Sequence, residues 1–516
     1  MRIGIDVGGT HTDAVILDGD RVVAATKSLT SADVVSGITS ALDTVLEDGA
    51  VSQKQINTVM VGTTQFTNAI VQRKQLSPVA AIRIALPSGK GMPPMVDWPS
   101  DIKDAMGDHV YELHGGYLYD GFPVADIRDA EVDHLIHDLI AKGLKNIAIA
   151  SAFAPMNAEP EIRVSQKIKA AIPDARITLS HNFGRLGLME RENAAIMNTS
   201  LLPFAEQVIG SFLDALKQRG LECPAYVSQN DGTLMNADFV RAYPALTFAS
   251  GPTNSLRGAC KLTGLQDAVV VDIGGTTSDV GVLQGGFPRE SNTVIEVGGV
   301  RTNFRMPDII AIGLGGGSLV KDNGKQVGPQ SVGHKLVSEG IVFGGETLTA
   351  TDILVASGHA DIGDSTKVSS ISESTIKTAT RTMHAMLDQA IEMMKPGGKD
   401  IPVVLVGGGA VLVTQGLNAA SQIHRPTNAG VANAIGAAIA QIGGEAERMV
   451  SYRQVPREDA IKRVTNDARA KATAAGADPA TLKAVDIEET AIPYMDEGAT
   501  RLRVKVIGEL STAGKS

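Results

Sequence analysis

Two eight-residue stretches carry the side chains that a phosphate group or a hard cation would require. Near the start the chain reads Asp6-Val7-Gly8-Gly9-Thr10-His11-Thr12-Asp13, and in the middle Asp272-Ile273-Gly274-Gly275-Thr276-Thr277-Ser278-Asp279. The glycine pairs let main chain approach a ligand closely. Backbone N–H groups turned inward, with threonine hydroxyls beside them, suit phosphate oxygens. An aspartate at the end of the preceding strand suits a cation such as magnesium. These chemistries make Asp6 and Asp272 the expected metal ligands, and Asp6, Asp272, Thr10 and Thr276 the expected catalytic groups. Gly8, Gly9, Thr10, Thr12, Gly274, Gly275, Thr276 and Thr277 are the expected phosphate contacts. Asp13 and Asp279 close the turns, either as caps or beside a metal-bound water. A single Asp-x-Gly-Gly turn is no more than a good hairpin tip. Its repetition, one copy in each half, points to a ligand held between two similar domains.

The flanking residues supply the strands. Arg2 to Ile5 and Val269 to Val271 lead into the two turns, and Ala14 to Leu17 and Val280 to Leu283 lead out, all short apolar runs expected to be buried strands. More glycine turns follow predicted strands at Gly62, at Gly313 to Gly317 and at Gly407 to Gly409. Open α/β sheets bind ligands at the carboxyl ends of their strands, so two such rims face to face would enclose one ligand. Gly315 and Gly316 join the expected cofactor contacts. Gly407, Gly408 and Asn433 are expected to shape a nucleoside pocket, with closure of the halves as the working motion.

Helical spacing marks 34–45, 65–73, 129–142, 158–171, a long stretch 188–219 interrupted near Pro203, 372–394, 428–443 and 457–475. Residues 87–125, rich in Pro, Gly and Met, read as an inserted loop, a lid over the site. The expected organisation is an α/β chain with domains at 1–245 and 246–450, and a cap at 451–516 packed on the second.

Composition narrows the classes. The chain has 516 residues, 43% of them hydrophobic, enough for two large domains. Its net charge of −10 argues against a nucleic-acid or anionic-membrane surface. Two cysteines in no metal-like spacing fit a reducing compartment. With no signal-peptide pattern and no apolar run long enough to span a bilayer, a soluble cytoplasmic protein is expected.

Taken together, the motifs resemble the hydantoinase/oxoprolinase family, in particular its ATP-binding hydantoinase A-type subunit, within the actin, sugar kinase and Hsp70 ATPase superfamily. The resemblance rests on Asp6 to Asp13, Gly62 to Ala69, Ser250-Gly251-Pro252, Asp272 to Val280, Asp308 to Ser318, Val327 to Ser331, Ala432 to Ala437 and Ala499 to Lys505. The chain is shorter than usual for such subunits, as in a divergent branch. The resemblance implies duplicated ribonuclease H-like domains with a nucleotide cleft between them. It also implies ATP with Mg²⁺, phosphorylation of a small cyclic amide (a hydantoin, lactam or 5-oxoproline-like ring) for hydrolytic opening, and a separately encoded hydantoinase B-type subunit in a homo- or hetero-oligomer. A small-molecule kinase, a carboxylase component and an ATP-gated activator are the alternatives on the same fold. Thr63, Thr64 and Asn68 are expected near the γ-phosphate or substrate, and Glu192, with Glu190 and Asn193, near the substrate. His134 and His137, spaced i, i+3 on a helix, are expected to be surface residues.

Overall fold

The computed structural model describes residues 1–8, 11–29, 34–119, 121–183, 187–291, 294–397, 400–492 and 499–511. β1 (Arg2–Val7) and β2 (His11–Asp18) form the first hairpin, with Asp6 opposite Asp13, and β3 (Arg21–Leu29) runs antiparallel to β2. β4 (Thr58–Thr63) lies parallel to β1. The chain then builds a separate parallel sheet from β5 (Ala80–Leu86), β6 (His109–His114), β7 (Asn146–Ser151) and β8 (Arg176–Leu179). It returns with β9 (Ala225–Ser228), parallel to β4, and β10 (Leu234–Asn236).

The second hairpin pairs β11 (Ala268–Ile273) with β12 (Ser278–Gln284), placing Asp272 opposite Asp279, and β13 (Phe287–Pro288) continues antiparallel. β14 (Ile295–Val297) and β15 (Val300–Thr302) form a detached hairpin. β16 (Ile309–Ile312) pairs with β12, and β17 (Ser318–Lys321) with β18 (Gln326–Ser331). β19 (Val403–Val406) lies parallel to β11, and β20 (Ile423–His424) parallel to β19. The order β3-β2-β1-β4-β9 in one sheet and β13-β12-β11-β19-β20 in the other is the same, strand for strand and direction for direction. The duplicated α/β fold expected from the sequence is the one the chain adopts.

Both hairpins are covered on two faces, which is why their strands read as apolar runs rather than alternating ones. Ile3, Ile5, Ala14 and Ile16 pack with Ile38, Leu42 and Val45 of helix Val34–Asp48, while Val15 and Leu17 pack with Ala434, Ile435 and Ala438 of helix Ala432–Ile439. In the second sheet Val269, Val271 and Val280 pack with Met383, Leu387 and Ile391 of helix Glu373–Met394. Val270 and Leu283 meet Leu256 and Ala259 of helix Ser250–Thr263. The two inner helices touch backbone to backbone. A Cβ on Gly258 would lie 1.8 Å from the Ala432 carbonyl oxygen, and one on Gly436 1.9 Å from that of Asn254. The small residues of helix Ala432–Ile439 are what lets the two sheets share this helix pair.

Three expectations change. Residues after 451 do not cap the second domain: β21 (Ile442–Ser451), β22 (Lys483–Ala491) and β23 (Ala499–Gly508) extend the first sheet through the pairing of Leu234 with Ile442. Residues 87–125 are not a lid: they contribute helix Ser100–Met106 and the edge strand β6, and bury Met95, Trp98 and Ile102 in the first domain's core. Helix Leu188–Gln218 runs unbroken through Pro203. Among the described residues, no helix is long and apolar enough to cross a membrane.

Candidate functional site

The two hairpin tips face each other across a cleft with a cavity of about 390 Å³, within the range of small-molecule sites. Asp6, Gly8, His11 and Asp13 line it from the first hairpin, and Asp272, Gly274, Gly275, Thr276, Thr277 and Asp279 from the second. The turns close alike: Gly8 N donates to His11 O (3.0 Å), and Gly274 N to Thr277 O (2.9 Å). Gly9 and Thr10, expected phosphate contacts, lie outside the described residues.

Each leading aspartate rests against a glycine at the end of the neighbouring parallel strand. A Cβ on Gly62 would lie 2.3 Å from Asp6 Oδ1, and one on Gly407 2.2 Å from Asp272 Oδ1. The glycines make room for the carboxylates. Adjacent residues of helix Ser250–Thr263 serve the two halves: Asn254 lies beside Asp6, and the Ser255 hydroxyl donates to Asp272 Oδ2. Asn433 Nδ2 donates to Asp6 Oδ2 (2.9 Å). Asp6 Oδ1 and both polar atoms of Asn254 are buried without a well-formed hydrogen bond, although the amide is close enough to favour the ionised acid.

The electrostatics are those of buried carboxylates crowded together. Burial, with Asp13 and Asp272 adding like charge, raises the Asp6 pKa to about 7. Burial and then Asp272 raise Asp279 to about 7. Burial also raises Asp272, against the Ser255 hydrogen bond and the charge of Lys27. Asp13 is raised by burial despite its 2.5 Å ion pair with Lys27. His11 is lowered by burial and by Lys27, which favours the neutral imidazole. The unsatisfied Asp6 oxygen and the crowded carboxylates fit a divalent cation.

Other expected residues divide. Thr64 lines the cleft and donates to Val7 O (3.3 Å). Thr63 is buried, its hydroxyl accepting from Gln65 N, and Asn68 is exposed at the cleft's edge, donating to Thr64 Oγ1 (3.4 Å). Thr12 pairs with Val7 inside the sheet and is fully buried, so it does not line the cavity. Gly316 lines it, while Gly315 sits beneath the second turn, where a Cβ would lie 2.6 Å from Thr276 N. Gly316 N and Gly317 N donate to Gly274 O and Gly275 O. Gly407, Gly408 and Asn433, expected to shape a nucleoside pocket, all line the cleft, and Asn433 also donates to Asp6.

Glu192 is elsewhere. Its carboxylate is buried in a bidentate pair with Arg83, and Asn193 accepts from Trp98 Nε1 (2.9 Å), so this stretch ties the inserted segment to the core. His134 and His137 are exposed, as expected. Sequence reasoning missed Lys27, Asn254 and Ser255, and an apolar wall of Leu336, Phe343, Leu354 and Ile362. Lys27 had a signal, one strand on from Asp13; the wall is spread over short helices and turns between 336 and 362, whose spacing marks no shared face.

Comparison with known proteins agrees with this construction. A caprolactamase subunit alpha of Pseudomonas jessenii is 23% identical over 69% of this chain and 54% of its own length. An acetophenone carboxylase gamma subunit of Aromatoleum aromaticum is 25% identical over 69% of this chain and 53% of its own. The chain thus spans about half the length of the curated relatives it matches. The solved ATP-dependent caprolactamase from Pseudomonas jessenii shares the fold, with a TM-score of 0.76 at 17% identity over 99% of this chain and 88% of that one. Nucleotide-free acetone carboxylase does so with a TM-score of 0.68 at 17% identity and the same coverage. Residues 2–172 match the family model "Hydantoinase/oxoprolinase N-terminal region" and residues 191–361 the model "Hydantoinase/oxoprolinase". The first hairpin lies in one match and the second in the other, and the chain belongs to the hydantoinase/oxoprolinase family.

Proposed function

We propose that the chain is the ATP-binding part of a cytoplasmic cyclic-amide hydrolase. The carrying observation is the pair of Asp-x-Gly-Gly hairpins whose four carboxylates converge on one cleft. On this reading Gly8, Gly274, Gly275, Thr276 and Thr277 receive the phosphates, and Gly9 and Thr10 are assigned the same role from the motif alone. The apolar wall formed by Leu336, Phe343, Leu354 and Ile362 receives the base. Asp6 and Asp272 hold Mg²⁺, which would neutralise charge on the transferring phosphate. Lys27 offsets part of the same charge, and closure of the two sheets excludes water.

The chemistry is transfer of the γ-phosphate to the oxygen of a ring amide. The P–O bond to ADP breaks as the bond to the amide oxygen forms, which turns a poor electrophile into a good one. Water then adds at that carbon, and the C–N bond breaks with its electron pair and a proton going to the ring nitrogen. A second water displaces phosphate from the resulting acyl phosphate to give the open-chain acid. Relatives named as lettered subunits support a separately encoded partner, of hydantoinase B type, for the hydrolytic half.

The test combines the chain with its partner, ATP, Mg²⁺ and a panel of lactams, hydantoins and 5-oxoproline. Equal yields of ADP and ring-opened product are expected. Ring opening without ATP would refute the reading. ADP formed only with a ketone and bicarbonate would transfer the chain to the carboxylases, the chemistry named for two of its relatives.

A further inference from the structure

A second cavity, of about 120 Å³, shares none of its lining with the cleft. It lies where the segments 229–233 and 303–305, the start of β21 and helix Arg457–Ala474 meet. One wall is aromatic, from Phe183, Phe239 and Phe304, with Phe183 and Phe304 edge to face at 6.0 Å. In a chain with only 11 phenylalanines, three converge here, whereas the cleft wall has one.

The polar lining is unsatisfied. Asn230 is only 4% exposed, yet its side-chain amide makes no hydrogen bond among the described residues. Both Nδ2 and Oδ1 of Asn303 are buried without a partner. Lys471 forms no hydrogen bond or ion pair among the described residues, and burial holds its amine below the usual lysine range. The surrounding charges are paired in part: Arg305 with Glu445 Oε1 (2.7 Å) and Glu290 (2.9 Å), and Lys505 with Asp231 (2.9 Å). Glu445 Oε2 is buried without a hydrogen bond, and burial raises that carboxyl's pKa, which favours its neutral form. Buried polar groups are normally hydrogen-bonded, and two unpaired asparagine amides beside a half-buried, unpaired lysine on one cavity call for a polar ligand.

We propose that this cavity binds a small carboxylate bearing an N–H donor. Its carboxylate meets Lys471 and the amide N–H groups of Asn230 and Asn303, its N–H meets an amide oxygen, and its apolar body lies on the phenylalanines. The cavity's size, about 120 Å³, admits a molecule as small as an acylated glycine. The site is independent of the function proposed for the cleft.

Calorimetric titration of the full chain with N-acetylglycine tests it, with neutral N-methylacetamide as the control. Saturable binding of one N-acetylglycine per chain is expected, with N-methylacetamide at least tenfold weaker. Lys471→Met weakens the acid at least tenfold and leaves ATP affinity unchanged. If that variant does not fold, Asn230→Asp, which sets a like charge against the ligand, gives the same loss. Absence of saturable binding, equal affinity for the neutral amide, or displacement of the acid by ATP would each overturn the proposal.

Discussion

The two hairpins share a motif, a register and a supporting glycine, but not a charge balance. In the first, Asp13 stands opposite Lys27 of β3 and is ion-paired to it, and Asp6 is braced by Asn433. In the second, the β16 neighbour of Asp279 is Ala311, and burial together with Asp272 lifts Asp279 to about 7. The second turn is instead braced from beneath, by the Gly315 to Gly317 segment. Duplication has preserved geometry and divided the labour. One hairpin carries its own cation, and the other leaves its charge for a ligand to neutralise. On the function proposed here, the added cation belongs nearer Asp272 than Asp13.

The largest effect expected is on catalysis. Asp272→Ala lowers ATP turnover about 1,000-fold, equivalent to about 4 kcal/mol of barrier. Asp6→Ala causes a smaller loss, because Asn254 and Asn433 remain to hold the first turn. Single-turnover ADP release at saturating Mg²⁺ measures both. Equal losses would break the asymmetry.

Next comes the proton. Asp279 has a folded pKa of about 7 against an ordinary 3.8, so the unfolded chain ionises first as pH rises. The folded state therefore loses stability from pH 4 to pH 7, and the penalty is constant above that. Asp279→Asn removes it. The ligand-free variant should be more stable than the parent at pH 8, by up to roughly 4 kcal/mol, and indistinguishable from it at pH 4. Urea unfolding at the two pH values is the measurement. Asp13→Asn gains less, since it strands Lys27.

Lys27→Met tests the first hairpin from the other side. A fully buried pair costs about 3–5 kcal/mol to break, but Lys27 is one-third exposed and solvent screens it. About 1–2 kcal/mol is expected at pH 8, shrinking as acid protonates Asp13. No change in unfolding free energy would mean that the pair is ornamental.

What could be read from the sequence follows the range of the interactions. The hairpins were legible because strand, turn and strand are contiguous, and their repetition identified the cleft. Thr12 was misassigned because the motif does not say which face of β2 a residue takes; its pairing with Val7 puts it inside. Glu192 was misassigned because its partner, Arg83, lies 109 residues away, and the bond from Asn433 to Asp6 was not legible because the two lie 427 apart. The terminal strands were given to the wrong domain for the same reason, since β21 joins the first sheet only by pairing with β10.

The supporting glycines give the finest comparison. Gly62 and Gly407 each leave space for an aspartate oxygen, and an added methyl would lie within 2.3 Å of it in both cases. Gly62→Ala and Gly407→Ala should therefore both displace a carboxylate and weaken Mg²⁺-dependent nucleotide binding. Their effects on folding differ. Gly407 has φ +83°, a left-handed conformation that costs an L-residue roughly 1–2 kcal/mol, whereas Gly62 lies within β4 in ordinary strand geometry. Gly407→Ala is expected to be the less stable of the two by about 1 kcal/mol. Asp272→Ala added to it should relieve only the clash with the carboxylate, since the new Cβ would still lie 2.4 Å from Ile273 O and keep the backbone strain. If the double variant regains full stability, crowding alone accounts for the glycine at 407, and the two hairpins are more alike than their backbones indicate.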